Sequence, residues 1–252
     1  MSGERRAAVV TGGASGIGLA IVRHLAGEGM SVVAADRDEA ACAEARKALV
    51  QFGDRVRVVV ADIGTPEGAN AAVQTAVKEF GRIDLLVNNA AVHPIETIEE
   101  HSFETWRETF RVNVDGAMLC SRAALPHMKR QGRGVIVNMG SVSGEVPYAT
   151  GGAYGASKAA IALMTKVLAV EAGPYGVRVN CISAGTIRHR AETYGTADQK
   201  PAHIPIGRAG STGDVAQLVS YLASDAASYL TGAVITLDGG ATAGRPKTTK
   251  RK

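Results

Sequence analysis

Cysteine is scarce in this sequence. The 252 residues include three, Cys42, Cys120 and Cys181, and they stand far apart. Such thiols build no disulfide framework, and no Cys-x-x-Cys pair offers a metal site. They read as buried, small apolar side chains of a protein kept in a reducing cytosol. Also lacking is an apolar run approaching the 18 or more residues of a membrane span, so no membrane association is expected. The few residues before Thr11 hold no signal-peptide core. Pro/Ser-rich linkers and strong internal repeats are missing too, which makes one domain over residues 1–244 the simplest organisation. Excess charge is absent except at one end. The formal net charge is +4, yet Arg245, Lys247, Lys250, Arg251 and Lys252 crowd the C-terminus with no acid among them. Residues 1–244 carry 23 basic and 24 acidic side chains. A nucleic-acid-binding body would show a basic face, so nucleic acid is not an expected partner. Residues 245–252 read as a solvated basic tail.

What the chain does have is alternation. Short β-rich runs fall at Ala7–Val10, Ser31–Ala35, Arg55–Ala61, Ile83–Val87, Gly134–Asn138, Val177–Cys181 and Ala233–Leu237. Between them lie helical stretches at Gly16–Glu28, Asp38–Gln51, Pro66–Phe80, Ser102–Lys129, Ala153–Ala172 and Thr212–Ser224. Runs such as Val56-Arg-Val-Val-Val60 are nearly continuously apolar, as strands covered on both faces must be. The alternation predicts an α/β protein: a doubly wound (Rossmann), mostly parallel sheet of seven strands with helices on both faces. Ligands of such sheets bind beyond the carboxyl ends of the strands.

Residues with chemical potential sit at those ends. The first run leads into Thr11-Gly-Gly-Ala-Ser-Gly-Ile-Gly18 and a helix. Glycine accepts positive φ and lets phosphate approach without an obstructing Cβ. The helix N-terminus adds free N–H groups and partial positive charge. Gly12, Ser15, Gly16, Ile17 and Gly18 are thus candidate pyrophosphate contacts, in a Gly-x₃-Gly-x-Gly spacing that differs from the usual dinucleotide fingerprint. Asp36 ends the second run, where a carboxylate holds adenosine ribose hydroxyls and repels a 2′-phosphate. That favours NAD over NADP, although Arg37 follows and could attract the phosphate. Asp62, beside Ile63, is placed either for an adenine amino group or as a helix-start residue before Thr65-Pro66. Asn88-Asn89-Ala90-Ala91 follows the fourth run and also fits plain turn chemistry. The fifth run leads to Ser141, and beyond it Tyr154 and Lys158 stand at i and i+4 on one helix face. Depressing a phenol pKa by three units requires about 4 kcal/mol of preferential stabilisation, for which Lys158 is suited.

Taken in order, Thr11–Gly18, Asn88-Asn-Ala90, Asn113, Ser141, Tyr154-Gly-Ala-Ser-Lys158 and Asp238-Gly-Gly240 resemble the single-domain branch of the short-chain dehydrogenase/reductases, over about residues 5–242. The resemblance implies roles. Tyr154 is the general acid/base, and Ser141 hydrogen-bonds the substrate oxygen. Lys158 binds the nicotinamide ribose and lowers the Tyr pKa. Asn113 holds a water that links Lys158 to solvent. Asn89 and Ala90 pack near the adenosine side, and Gly185 and Ile187 approach the nicotinamide. It implies a cytoplasmic NAD(H)-dependent oxidoreductase acting on a small secondary alcohol or ketone, in a homotetramer or homodimer formed through the helices matching Ser102–Lys129 and Ala153–Ala172. A 3-oxoacyl reductase using NADPH and a catalytically silent NAD-binding regulator are the alternatives. Enoyl reductases place more residues between the Tyr and the Lys.

Two departures stand out. Ala91 replaces a family Gly, and in Ser183-Ala-Gly-Thr-Ile-Arg-His189 a Pro is replaced by Ala184 and a Thr by His189. His189 is therefore expected to hydrogen-bond the cofactor in the missing Thr's place. His93, Ser143, Val146, Tyr148 and Tyr194 are candidate lining for the substrate pocket. The segment 188–203, with Arg188, His189, Arg190, Tyr194 and Lys200, is expected to cover it, its positive charge suiting an anionic substrate. Lys129, Arg130 and Arg133 fit a helix C-terminus or the docking of an acyl carrier protein.

Overall fold

The computed structural model describes residues 5–188 and 203–244. Seven strands form one sheet: β1 (Ala7–Thr11), β2 (Ser31–Asp36), β3 (Val56–Val60), β4 (Leu85–Asn88), β5 (Gly134–Ser141), β6 (Val177–Ala184) and β9 (Val234–Leu237). Their order is β3-β2-β1-β4-β5-β6-β9, and every pairing is parallel. Two short strands, β7 (Ile187–Arg188) and β8 (Gly210–Ser211), pair beside it. The helices are α1 (Gly16–Gly27), α2 (Glu39–Ala48), α3 (Pro66–Phe80), α4 (Phe103–Phe110), α5 (Gly116–Gln131), α6 (Gly152–Ala172) and α7 (Thr212–Ala223).

The two-residue period of a strand divides the core. Ala8 and Val10 join Ile21 and Leu25 of α1 and Val215, Val219 and Leu222 of α7 on one face. Val9 joins Val73 of α3 and Cys120 and Ala124 of α5 on the other. This is why the strand sequences read as unbroken apolar runs. The chain extends one half of the sheet through β2 and β3, then crosses back to place β4 on the other side of β1. The crevice at that switch point lies over the ends of β1 and β4. All three cysteines are buried free thiols.

Three expectations change. The stretch Ser102–Lys129 is not one helix. It breaks at a π-helical turn over Arg111–Asp115, between α4 and α5. The side chain of Asn113 in that turn is tied to other parts of the fold, and such π-turns concentrate at functional sites. The stretch to Gln51 also ends early: α2 stops at Ala48, and a 3₁₀ segment with Gly53 at φ 54° follows. Finally, the helical stretch Gly152–Tyr175 is, by length and composition, long and apolar enough to cross a membrane, with a mean hydropathy of 1.2. Its apolar character has a source within the fold, since Ala153, Ile161, Ala169 and Ala172 are buried. Its outer face exposes Leu163, Val167 and Val170.

β5 and β6 run three residues beyond their predicted ends, in the register Ser141↔Ala184. Ser141 is thus delivered by a strand rather than by a loop. Residues His189, Arg190, Tyr194 and Lys200, and the basic tail 245–252, lie outside the described residues.

Candidate active site

The carboxyl ends of β1, β2 and β4 open into a cleft of about 320 Å³. It is lined by Gly12, Ser15, Gly16, Ile17, Gly18, Asp36, Arg37, Asp62, Ile63, Asn89 and Ala90, together with Ala61, Ala91, Val92 and Val112. Eleven positions singled out in the sequence converge here. Gly12 has φ 62°, and a Cβ on it would stand 2.9 Å from Ala90 Cα. Only glycine permits both the turn and that approach. Ser15 is the N-cap of α1 but makes no side-chain capping bond, and the first turn carries no acid. The first N–H groups of α1 and the helix dipole therefore suit the pyrophosphate of a dinucleotide. Asp36 accepts the Ala14 N–H (3.3 Å) and the Asp38 N–H (3.2 Å), which holds its carboxylate at the adenosine end. Arg37 also lines the cleft, and its Nη1 donates to Glu108 Oε1 at 2.8 Å. Asp62 does not cap α3. It lines the cleft, accepts the Gly64 N–H, and pairs with Arg111 at 3.0 Å, while Thr65 caps α3.

Asn89 is a brace as much as a lining residue. Its Nδ2 donates to the Thr11 and Gly12 carbonyls at 2.9 and 3.3 Å, fixing the glycine turn from behind. The Thr11 hydroxyl accepts the Asn89 and Ala90 N–H groups. Gly185 and Ile187 lie outside this cleft. Gly185 packs on Asp238, where a Cβ would meet Asp238 Cβ at 2.6 Å, and Ile187 pairs with Gly210.

The second cluster gathers at the end of β5 and the first turns of α6. Lys158 is buried, and its Nζ donates to the Met139 carbonyl at 2.7 Å. That ammonium stands 5.5 Å from the centroid of the Tyr154 ring. Burial pushes the Lys158 pKa down to about 8. Cys181 lies beside it, and burial raises its thiol to about 11. Ser141 Oγ donates to Ser143 Oγ at 3.1 Å and accepts the Ser143 N–H, so the two predicted serines form one turn. Asn113 is committed by its side chain: Nδ2 donates to the Val92 carbonyl (3.0 Å) and to Ser157 Oγ (2.9 Å), and Oδ1 accepts the Val92 N–H (2.8 Å). A water leading to Lys158 would therefore meet this residue's backbone. His93 stacks on Tyr154 with ring centroids 4.0 Å apart and bonds Tyr148 Oη at 2.6 Å. Val146 and Tyr148 are exposed on the neighbouring turn.

Comparison with known proteins settles the family. A family model described as Enoyl-(Acyl carrier protein) reductase matches residues 12–242. The cis-4-hydroxycyclohexanecarboxylate dehydrogenase of Sinomonas cyclohexanicum is 39% identical over 242 residues, which cover 94% of this chain and 97% of that one. The chain is a short-chain dehydrogenase/reductase. Among solved structures, an acetoin dehydrogenase from Salmonella typhimurium superposes with a TM-score of 0.87 at 36% identity, covering 97% of this chain and 99% of that one. A 3-ketoacyl-(acyl-carrier-protein) reductase from Brucella melitensis, complexed with NADH, gives 0.87 at 32%, covering 95% and 99%. This short-chain dehydrogenase/reductase is an oxidoreductase that uses NAD(P) and acts on alcohol or ketone groups of small molecules.

Several residues that shape the site have no role assigned from the sequence. Ser157 anchors Asn113 and donates to the Tyr154 carbonyl at 2.7 Å. Asn88 donates to Asn138 Oδ1 (2.8 Å), Ser121 Oγ (3.1 Å) and the Ala117 carbonyl (3.3 Å), and Asn138 donates to Thr165 Oγ1 (2.9 Å). This buried polar layer joins β4, β5, α5 and α6 beneath the cluster. His101 accepts the Ala153 N–H (3.4 Å) and bonds Glu96 (2.7 Å), tying the loop after β4 to the start of α6. The only sequence signal for these was polarity inside apolar runs. Lys129 lies 4.2 Å from the Tyr175 ring centroid, and Gly132 ends α5 in the left-handed conformation, in keeping with cations at a helix C-terminus.

Proposed function

We propose that the enzyme interconverts a secondary alcohol and its ketone with NAD(H), using Tyr154 as the general acid/base. The observation that carries this is the joint placement of Tyr154, Ser141 and the buried Lys158 at the end of β5, beside the glycine-lined cleft. In alcohol oxidation the Tyr154 oxygen accepts the substrate hydroxyl proton, and in reduction it returns one to the carbonyl oxygen. The Ser141 hydroxyl donates a hydrogen bond to the same oxygen. Lys158 favours the phenolate by its charge, held from below by the Met139 carbonyl. The backbone of the Asn113 turn passes protons onward through water. When bound, the nicotinamide accepts or supplies the hydride. The first turn of α1 with Ser15, Gly16 and Ile17 would hold the pyrophosphate, and Asp36 the adenosine ribose.

NAD is the preferred form because Arg37 is neutralised by Glu108 while Asp36 has no ion-pair partner among the described residues. Residues 1–244 act as one unit, in the cytoplasm. The exposed Leu163, Val167 and Val170 line one face of α6 and suit packing against a second copy in a dimer or tetramer. An enoyl reduction is disfavoured by the four-residue step from Tyr154 to Lys158. The test is Tyr154→Phe. Turnover should fall about 10²–10⁴-fold while NAD still binds; a variant keeping more than about a tenth of kcat would sink the assignment.

A further inference from the structure

The loop after β4 sets His93 against the ring of Tyr154. The imidazole and phenol planes are 28° apart with centroids 4.0 Å apart. His93 Nε2 lies 2.6 Å from Tyr148 Oη, and the two rings meet edge-on at 84°. Stacking fixes the tilt of the imidazole, and the hydrogen bond fixes its rotation in the plane. One nitrogen is left over, for Nδ1 has no hydrogen-bond partner among the described residues. Desolvation and the nearby Lys158 charge hold His93 below its ordinary pKa, so the ring is neutral near pH 7 and carries one N–H. The location of that proton follows from acceptor strength. A phenol is a good donor whose oxygen lone pair is drawn into its ring, whereas an imidazole lone pair is a strong acceptor. The 2.6 Å separation suits O–H···N. With Tyr148 as the donor to Nε2, the proton sits on Nδ1.

We propose that His93 Nδ1–H is a specificity group that donates a hydrogen bond to a second substrate oxygen, on the carbon next to the reacting one. The enzyme then favours vicinally oxygenated alcohols and ketones over simple ones. The inference rests on Tyr154 acting at the substrate oxygen, since the stack places His93 relative to that ring alone. An imidazole stacked 4.0 Å from the phenol is within reach of a substrate carbon beside the reacting one and too far from remote ones.

The test compares butan-2-one with 3-hydroxybutan-2-one, as the ratio of kcat/KM for NADH oxidation, in the unaltered enzyme and in His93→Phe, His93→Asn and Tyr148→Phe. The hydroxyl activates the carbonyl equally in every variant, so the change in ratio between variants is what counts. His93→Phe keeps a ring on Tyr154 but has no N–H, and should lower the ratio about 2- to 10-fold. His93→Asn puts an amide N–H near the place of Nδ1 and should keep most of the preference. Tyr148→Phe releases the tautomer and should fall between. The same ratio is read without turnover from the dissociation constants of butan-2-ol and butane-2,3-diol for the enzyme–NADH complex, in which neither alcohol can react. An unchanged ratio in His93→Phe overturns the proposal. So does an equal loss in His93→Asn and His93→Phe, which would make ring shape, not the donor, responsible. Failure of the Tyr154 assignment shows separately, as turnover retained in Tyr154→Phe, while the binding ratios still judge His93.

Discussion

In the proposed function, cofactor choice turns on two adjacent residues of opposite charge at the end of β2. Asp36 is half-buried and held toward the glycine turn by two backbone N–H groups. Arg37, which would welcome a 2′-phosphate, is drawn away to Glu108 at 2.8 Å. Glu108 also accepts from Arg111 Nε (2.6 Å) and Nη2 (2.9 Å). Arg111 foremost, with Arg37 adding to it, holds the Glu108 carboxyl down to about 2. A 2′-phosphate with close to two negative charges thus meets an uncompensated carboxylate and a compensated guanidinium. Two unit charges at 4 Å interact by about 1 kcal/mol in water and about 4 kcal/mol at an effective dielectric of 20. Asp36 lies at the mouth of an open cleft, so about 1–2 kcal/mol per phosphate charge applies. For a doubly charged phosphate that is about 2–4 kcal/mol, or roughly 30- to 900-fold discrimination against NADPH. Asp36→Ala should recover at least about 10-fold in kcat/KM with NADPH. Glu108→Gln should raise NADPH use further by releasing Arg37. Both gains should shrink at high salt, because the charges face solvent. The assay is steady-state kinetics with both cofactors at low and high ionic strength. A preference for NADPH in the unaltered enzyme, or a ratio that Asp36→Ala moves less than about twofold, would refute the reasoning.

Two further outcomes concern stability. Lys158 binds its proton less tightly in the fold, at about 8, than in the unfolded chain, at 10.5. Between those values the unfolded chain holds more protons, so this residue makes stability rise with pH across that window. Lys158→Met removes the rise, and the Tm of the unaltered protein minus that of the variant should increase by several degrees from pH 7 to pH 10; parallel curves would contradict it. Asn138→Ala removes one buried partner each from Asn88 Nδ2 and Thr165 Oγ1 and should cost about 1–3 kcal/mol in denaturant unfolding, with a change under about 0.5 kcal/mol counting against the buried polar layer.

The strand order and the lining of the cleft beyond β1, β2 and β4 were legible because their causes are local. Apolar runs buried on both faces, glycines where a phosphate must approach, and an acid ending β2 are each written within a few consecutive residues. The hydrogen-bonding partners were not legible. Asn89 braces Thr11 across 78 positions, and Asn88 meets Asn138 across 50. Nothing in the Asn88-Asn89 pair says that one side chain turns into the core while the other holds the glycine turn. The resemblance assigned Asn113 a water but not its grip on Val92, and that grip coincides with the turn that breaks the predicted long helix. Nothing near Arg37 in the sequence points to its ion-pair partner Glu108, 71 positions away.

These long-range bonds share a purpose at one place, the loop between β4 and α4. Asn113 pins it at Val92, His93 binds Tyr148 and Tyr154, and His101 links Glu96 to the Ala153 N–H. The Glu96 N–H also donates to the Thr150 carbonyl at 3.3 Å, in a bridge that pairs Glu96 with Gly151. Thr150 itself has φ 69°, a left-handed conformation that a β-branched residue adopts only at a cost. Such strain, of order 1–3 kcal/mol, persists where surrounding contacts determine the backbone and tends to cluster at functional sites. Here the contacts come from a loop and a helix start that share no strand of the main sheet. Tyr154, four residues after Thr150, is thereby positioned from both sides: by α6, which sets its distance to Lys158, and by the loop, which sets the face of its ring. The general acid/base proposed in Tyr154 must meet its proton within hydrogen-bond reach, and a ring held on one face by His93 has lost the freedom to swing away from it.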